Sequence, residues 1–258
     1  MVNAKRELRR AGRIAGFGAL TATMLPGFLA HETLAAARQR DAVREGWVGA
    51  WATALLGLFG VRVMTSGAPA ALGRGGHLIV ANHRSTADVL VLLRAFGGHM
   101  VSRADLARWP LVGQAARAVG TLFVERTDAV SGASAVRTIR TRLTAGAKII
   151  VFPEGTTFPD DDVRPFHAGA FVAALPTGAD IVPVGLAYGE GSGAAFVNET
   201  FPQHLARMAA AAPSSVAMCV GQPIPIEAST RAAALRDRTH SEVQRLVHEA
   251  RGIVDAPR

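Results

Sequence analysis

The sequence predicts an α/β protein: a layered, mostly parallel or mixed sheet of about seven strands flanked by helices, preceded by an N-terminal membrane-associated helical segment. Three observations predict it. From residue 61 onward, short near-continuous apolar runs recur, the pattern of strands covered on both faces. Longer helical stretches separate them. Ahead of this body lie two uncharged stretches, residues 14–30 and 47–59, joined by a charged connector.

In chain order, Lys5, Arg6, Arg9, Arg10 and Arg13 form a basic flank before the first apolar stretch. That order resembles a secretory signal, but a second apolar stretch follows, and WVGAWATALLGLF carries two tryptophans suited to a headgroup interface. The first stretch is shorter than the run of about 20 apolar residues that a membrane span needs, and Pro26-Gly27 interrupts it. The reading is a hairpin or a pair of interfacial helices broken at Pro26-Gly27, with the basic flank on the cytoplasmic side. Residues 1–59 are assigned to this segment and 60–258 to the α/β domain.

Strands are expected at 61–66, 77–81, 99–102, 121–124, 148–152, 181–187 and 215–220. Helices are expected at 85–95, 104–119, 133–145, 166–174 and 229–251, with glycine-rich loops at 73–76 and 189–193.

Lys and Arg number 28 against 20 Asp and Glu, a net charge of +8, which suits nucleic acid or an anionic membrane face and phosphorylated ligands. Aromatic residues are 6% with one tyrosine, and no basic run is interleaved with stacking side chains, which argues against a single-strand nucleic-acid surface. The single cysteine, Cys219, allows no intrachain disulfide and reads as a small apolar residue in a strand. Neither a zinc-type spacing nor a phosphate-loop motif is present.

Three strand ends carry the chemistry. In VANHRSTADVL, His83 leaves a buried strand, Ser85 or Thr86 caps the next helix, and Asp88 falls in its first turn. A carboxylate accepting from one imidazole nitrogen fixes the tautomer and raises the basicity of the other. Such a pair serves to remove a proton from an alcohol. In TLFVERT, Arg126 follows a strand's carboxyl end, where α/β sheets collect ligands, and its planar fork suits phosphate. In IIVFPEGTT, Pro153 stops the strand, Glu154 is a carboxylate at the same edge, and Gly155 allows close approach of a ligand before Thr156. A fourth run, IVPVGLAY, supports the wall of the site.

In order and wording, NHRSTAD, LFVERT, VFPEGTT and IVPVGLAY resemble the four blocks of the lysophosphatidic acid (1-acyl-sn-glycerol-3-phosphate) acyltransferase family, over residues 60–225. The resemblance implies transfer of a fatty acyl group from an acyl thioester, either acyl-CoA or acyl carrier protein, to the free hydroxyl of a lysophospholipid. Its first implied acceptor is 1-acylglycerol-3-phosphate, giving phosphatidic acid. It makes His83 the general base and Asp88 its orienting carboxylate. Arg126, with Arg103, would bind phosphate, and Glu154, Gly155 and Thr156 would shape the acceptor site. Backbone N–H groups after His83 are the expected oxyanion donors. No metal or bound cofactor is implied, and the expected place is the cytoplasmic face of the cell membrane. In two respects the sequence departs from many members: Arg103 stands where they carry lysine, and FPEGTT with Pro165-Phe166-His167 resembles a branch that acts on lyso-ornithine lipids.

Two rival readings use the same residues. A metallohydrolase could take His83, Asp88 and Glu154 as ligands, but no second histidine lies at a suitable spacing. A non-catalytic membrane- or nucleic-acid-binding protein accounts for the charge but not for reactive side chains clustered at strand ends. His31, His204, His240 and His248 are expected to be solvated.

Overall fold

The computed structural model describes residues 2–68, 72, 73, 75–109, 111–125, 128–227 and 229–256. Seven strands form one mixed sheet in the order β1-β7-β6-β2-β5-β3-β4. They are β1 (Val61–Ser66), β2 (His77–Ala81), β3 (His99–Arg103), β4 (Leu122–Val124), β5 (Lys148–Val151), β6 (Asp180–Tyr188) and β7 (Ser214–Val220). β2 pairs in parallel with β5 and β6, and β3 pairs in parallel with β4 and β5. β7 is parallel to β1 but antiparallel to β6. The carboxyl ends of β2 to β6 therefore share one edge, the edge on which the sequence places its polar residues.

Every residue of β2 is buried. Its side chains alternate between two layers, as strand geometry requires. Ile79 and Ala81 join the core beneath α2 (Arg40–Phe59), α3 (Ala87–Phe96) and α7 (Phe201–Ala210). Leu78 and Val80 join the core beneath α5 (Ala129–Thr144), α6 (Gly169–Ala174) and α8 (Ala232–Asp255). On the second face α8 packs so tightly that a Cβ on Gly185 of β6 would lie 2.2 Å from the backbone carbon of Leu246. Gly185→Ala is accordingly expected to cost about 3 kcal/mol and to lower Tm by roughly 10 °C, as read by thermal unfolding.

Four local expectations are corrected. α1 (Val2–Leu34) runs through Pro26 without a break. Gly16 and Gly27 are contact points rather than breaks, because they face Leu58 and the Trp47 ring where α1 meets α2. The expected helix 104–119 divides into a 3-10 turn, Ala104–Arg108, and α4 (Val112–Ala118), with Leu111 at a φ of 60° between them. α7 was not legible from hydrophobic periodicity, although Thr200 and Gln203 carry the pattern that caps it: the Thr200 N–H donates to the Gln203 side chain at 2.8 Å. His204, on the inner face of α7, is fully buried and not solvated. Its Nδ1 lies 2.8 Å from Glu199, and its ring packs on Phe196.

The N-terminal helices differ in role. Val48, Ala52, Leu56 and Phe59 put α2 into the core of the α/β layers, across the division expected at residue 59. α1 lies outside it. Arg13 reaches the helix ends beneath, its Nε donating to the Leu58 carbonyl at 2.9 Å and its Nη1 to the Ala211 carbonyl at 2.7 Å. Trp51 and Trp47 then donate to Thr21 and His31 of α1 (3.1 Å each), so α1 is tied to α2 along its length.

Candidate active site

The site begins where β2 stops. Asn82, buried just past the strand, pairs with Leu186 of β6 through both ends of its amide, at 3.0 and 2.8 Å. It thus acts as a strand residue whose side chain imitates a peptide, and it fixes the direction in which the chain leaves the sheet. His83 comes next. Its Nδ1 lies 2.9 Å from Asp88 Oδ2, and its ring stacks on Phe152 with centroids 3.9 Å apart and planes 8° from parallel. With Nδ1–H donating to the carboxylate, Nε2 is the nitrogen left to accept a proton.

Asp88 is fully buried at the start of α3. Its Oδ2 also accepts from the backbone N–H groups of Arg84 (2.7 Å) and Ser85 (2.8 Å), while Oδ1 accepts from the Tyr188 hydroxyl at 2.5 Å. These bonds compensate the desolvated charge. Of the two expected caps, Thr86 holds the N-cap position of α3 but its side chain makes no capping bond, whereas Ser85 Oγ accepts from the Ala87 N–H at 3.2 Å. These bonds also correct one expectation. The Arg84 and Ser85 N–H groups are committed to Asp88 and the Ala87 N–H to Ser85, so these three do not await an oxyanion.

Glu154 is buried beside them. Its Oε1 accepts from the His83 N–H at 2.7 Å and its Oε2 from the Arg164 N–H at 2.9 Å. Both oxygens are thereby used in clamping the histidine loop to the loop after β5. Gly155, at φ 86°, makes the next turn, and its N–H donates to the Phe152 carbonyl. Burial pushes the Glu154 carboxyl up to about 7, against the two backbone N–H groups that pull it down. A folded-state value above the ordinary 4.5 means that the folded protein binds this proton more tightly than the unfolded chain. The associated stability is present below about pH 4.5 and is lost as pH rises through 7, by roughly 3 kcal/mol. Urea unfolding at pH 5 and pH 8 should show that loss in the native protein and not in Glu154→Gln.

A cavity of about 1090 Å³ opens in front of these groups. His83, Arg103, Gly155 and Thr156 line it, with Asp88 and Glu154 behind. Most of the wall is apolar. One side is made by Leu90, Met100, Val112, Val136 and Ile139 and another by Phe17, Trp51, Leu55 and Phe59 of α1 and α2. Trp109, stacked on Phe201 at 4.2 Å, is also in the lining. Arg103 makes a two-bond pair with Asp105, 3.1 Å for each bond, and its side chain is 64% exposed. Arg126 lies outside the described residues. Among the described residues, no three His, Cys, Asp or Glu side chains gather as metal ligands, and the carboxylates a metal would need at His83 are already occupied by N–H and O–H donors.

Sequence reasoning thus located His83, Asp88, Glu154, Gly155, Thr156 and Arg103 at one sheet edge. It missed Asn82 and Tyr188. Asn82 stood inside the first motif with the signal in view, a polar residue at the end of a fully buried strand. Tyr188 gave only the coincidence that the single tyrosine closes the fourth motif.

A histidine–carboxylate pair held at a strand end, beside a large and mostly apolar cavity, is an arrangement that can take a proton from an alcohol. A family model described as Acyltransferase matches residues 62–187. The chain is 30% identical over 241 residues to the lyso-ornithine lipid O-acyltransferase of Pseudomonas aeruginosa, covering 90% of each chain. It is 28% identical over 127 residues to the 1-acyl-sn-glycerol-3-phosphate acyltransferase of Neisseria gonorrhoeae, covering 49% of this chain and 50% of that one. The crystal structure of the 1-acyl-sn-glycerophosphate acyltransferase PlsC from Thermotoga maritima shares the fold, with a TM-score of 0.78 at 19% identity over 97% of this chain and 98% of that one. The protein belongs to the acyltransferase family.

Proposed function

We propose that the protein moves a fatty acyl group from acyl-CoA or acyl carrier protein to the free hydroxyl of a lysolipid, with His83 as general base. The observation that carries this reading is the His83–Asp88 pair at the mouth of an apolar cavity of about 1090 Å³. His83 Nε2 takes the acceptor's hydroxyl proton as the oxygen attacks the thioester carbonyl. The buried Asp88 charge stabilises the imidazolium so formed. As the tetrahedral intermediate collapses, the carbon–sulfur bond breaks and the leaving thiolate takes the proton from His83. Every group in this scheme is a side chain or a substrate atom, so the chemistry needs neither metal nor bound cofactor. General-base help supplies about 10²–10⁴-fold, and alignment of the two substrates in the cavity supplies more.

Of the two acceptors, lyso-ornithine lipid is the first choice. The relative bearing that name aligns over 90% of both chains, and Arg103, one of the two cations expected to take a phosphate, is already paired with Asp105. The second choice, 1-acylglycerol-3-phosphate, is favoured by relatives that align over about half of this chain. The two are separated by comparing kcat/KM for both acceptors with one long-chain acyl-CoA. A ratio of ten or more in favour of lyso-ornithine lipid supports the choice, and the reverse ratio replaces it.

The reaction site is proposed to face the cytoplasmic leaflet. Helix Ala4–Leu34 is long and apolar enough to cross a membrane, and its most apolar stretch is mostly uncovered. Arg13, Thr21 and His31 nevertheless bind it along its length to the body, and Glu45 of α2 is paired to Lys148 of β5 at 2.9 Å. Such a helix lies in the plane of one leaflet, with Ile14, Leu29 and Leu34 outward. Phe17 of this helix and Trp51 of α2 line the cavity on the other side.

A further inference from the structure

The donors to Asp88 are unevenly shared. Oδ2 meets His83 Nδ1 and the N–H groups of Arg84 and Ser85, whereas among the described residues Oδ1 meets the Tyr188 hydroxyl alone, at 2.5 Å. The three donors on Oδ2 already set the rotation of the carboxylate, and Tyr188 supplies the bond to its other oxygen. It is the last residue of β6, its ring is 4% exposed within the core, and its backbone carbonyl accepts from Arg251 Nη1 at 2.7 Å. The hydroxyl bond gives a buried line Tyr188–Asp88–His83.

We propose that Tyr188 is a positioning residue for acyl transfer: it holds Asp88 Oδ1 and shares the carboxylate's charge, and so sets how strongly Oδ2 holds His83 Nδ1 while the ring gains and loses its proton. This rests on the reading of His83 as the base. Tyr188 touches neither substrate in that scheme and acts through Asp88. Burial, followed by the neighbouring Asp88 charge, pushes its hydroxyl well above the usual range, so it is a donor throughout the working pH.

Glu154 and the Arg84 guanidinium also face this pair, and both stay in place when the Tyr188 hydroxyl is changed, so the direction of the effect comes from the charge on Asp88. A carboxylate relieved of one donor presents more negative charge to the ring and favours the ring's protonated form. Tyr188→Phe keeps the ring's packing and removes only the hydroxyl. Its kcat/KM–pH profile should show the acidic limb moved upward by about one unit, with the plateau kcat lowered about tenfold and KM for both substrates within about twofold of native. Tyr188 is the chain's only tyrosine, so growth on 3-fluorotyrosine replaces it alone. Its more acidic phenol donates more strongly, and the limb should move the opposite way, downward.

Both labelled and Phe proteins are measured beside native enzyme and His83→Ala, with acyl-CoA and the better acceptor. Opposite movements of the limb support the proposal. A limb that stays in place in both, with any loss of kcat following Tm, makes Tyr188 a packing residue and overturns it. Should His83→Ala keep the native rate, the base itself is misassigned, and Tyr188 falls with it. An inactive His83→Ala beside unmoved Tyr188 profiles overturns only the positioning role.

Discussion

His83→Ala lowers kcat for acyl transfer by about 10²–10⁴-fold while the protein remains folded. The loss is that large because, among the described residues, His83 is the cavity-lining imidazole that the site couples to a fully buried carboxylate. Without it the acceptor hydroxyl, a very weak acid, must lose its proton to water or attack as a neutral alcohol. Stability should change little, since the His83 ring is replaced at the cavity wall and the bond that holds the loop runs from its backbone N–H to Glu154 at 2.7 Å. Alanine retains that N–H. The ring's stacking on Phe152 and its bond to Asp88 are lost, while Asp88 keeps the Arg84 and Ser85 N–H groups and the Tyr188 hydroxyl as donors. Single-turnover rates and a thermal melt, taken on one preparation, separate the two effects.

Asp88 gives the second large effect, and two substitutions divide it. Asparagine can set its amide oxygen against the His83 ring and the Arg84 and Ser85 N–H groups, and turn its NH₂ towards the Tyr188 oxygen. The fold then survives, but the charge that stabilises the imidazolium is gone. Asp88→Asn should lower kcat by about 10²–10⁴-fold with an almost unchanged Tm. Alanine leaves the buried N–H groups of Arg84 and Ser85 without an acceptor, at about 1–3 kcal/mol each, and opens a void at the start of α3. Asp88→Ala should therefore be both inactive and less stable. If asparagine were as active as the native residue, charge at Asp88 would have no part in the reaction.

Much of this site could be read from the chain because its parts are local. A strand that runs out into His83, with Asp88 in the first turn of the next helix, needs only strand and helix periodicity to be placed. The same holds for Glu154 and Gly155 after β5. All seven strands lie at the apolar runs, and parallel pairing carries their polar ends to one edge. The features that stayed hidden depend on partners distant in sequence. The contact between Asp88 and Tyr188 spans 100 residues, and that between Glu154 and the His83 N–H spans 71. Periodicity reports which face of an element is apolar, not which element covers it. For this reason α2 resembles an interfacial helix in sequence although Leu56 and Phe59 are in the core, and His204 resembles a solvated residue although α7 buries it. Glu154 is expected to shape the acceptor site, and its two oxygens hold two loops together behind the cavity, an arrangement that composition cannot distinguish from direct contact.

The central claim is that His83 drives acyl transfer from a thioester to a lysolipid hydroxyl. It is tested most directly by thiol release from a long-chain acyl-CoA or acyl carrier protein, using detergent-purified protein with lyso-ornithine lipid or 1-acylglycerol-3-phosphate, beside His83→Ala. The expected result is release that depends on an acceptor, matches the diacyl product mole for mole by mass spectrometry, and disappears in the variant. Release that continues at the native rate without His83 would contradict that claim.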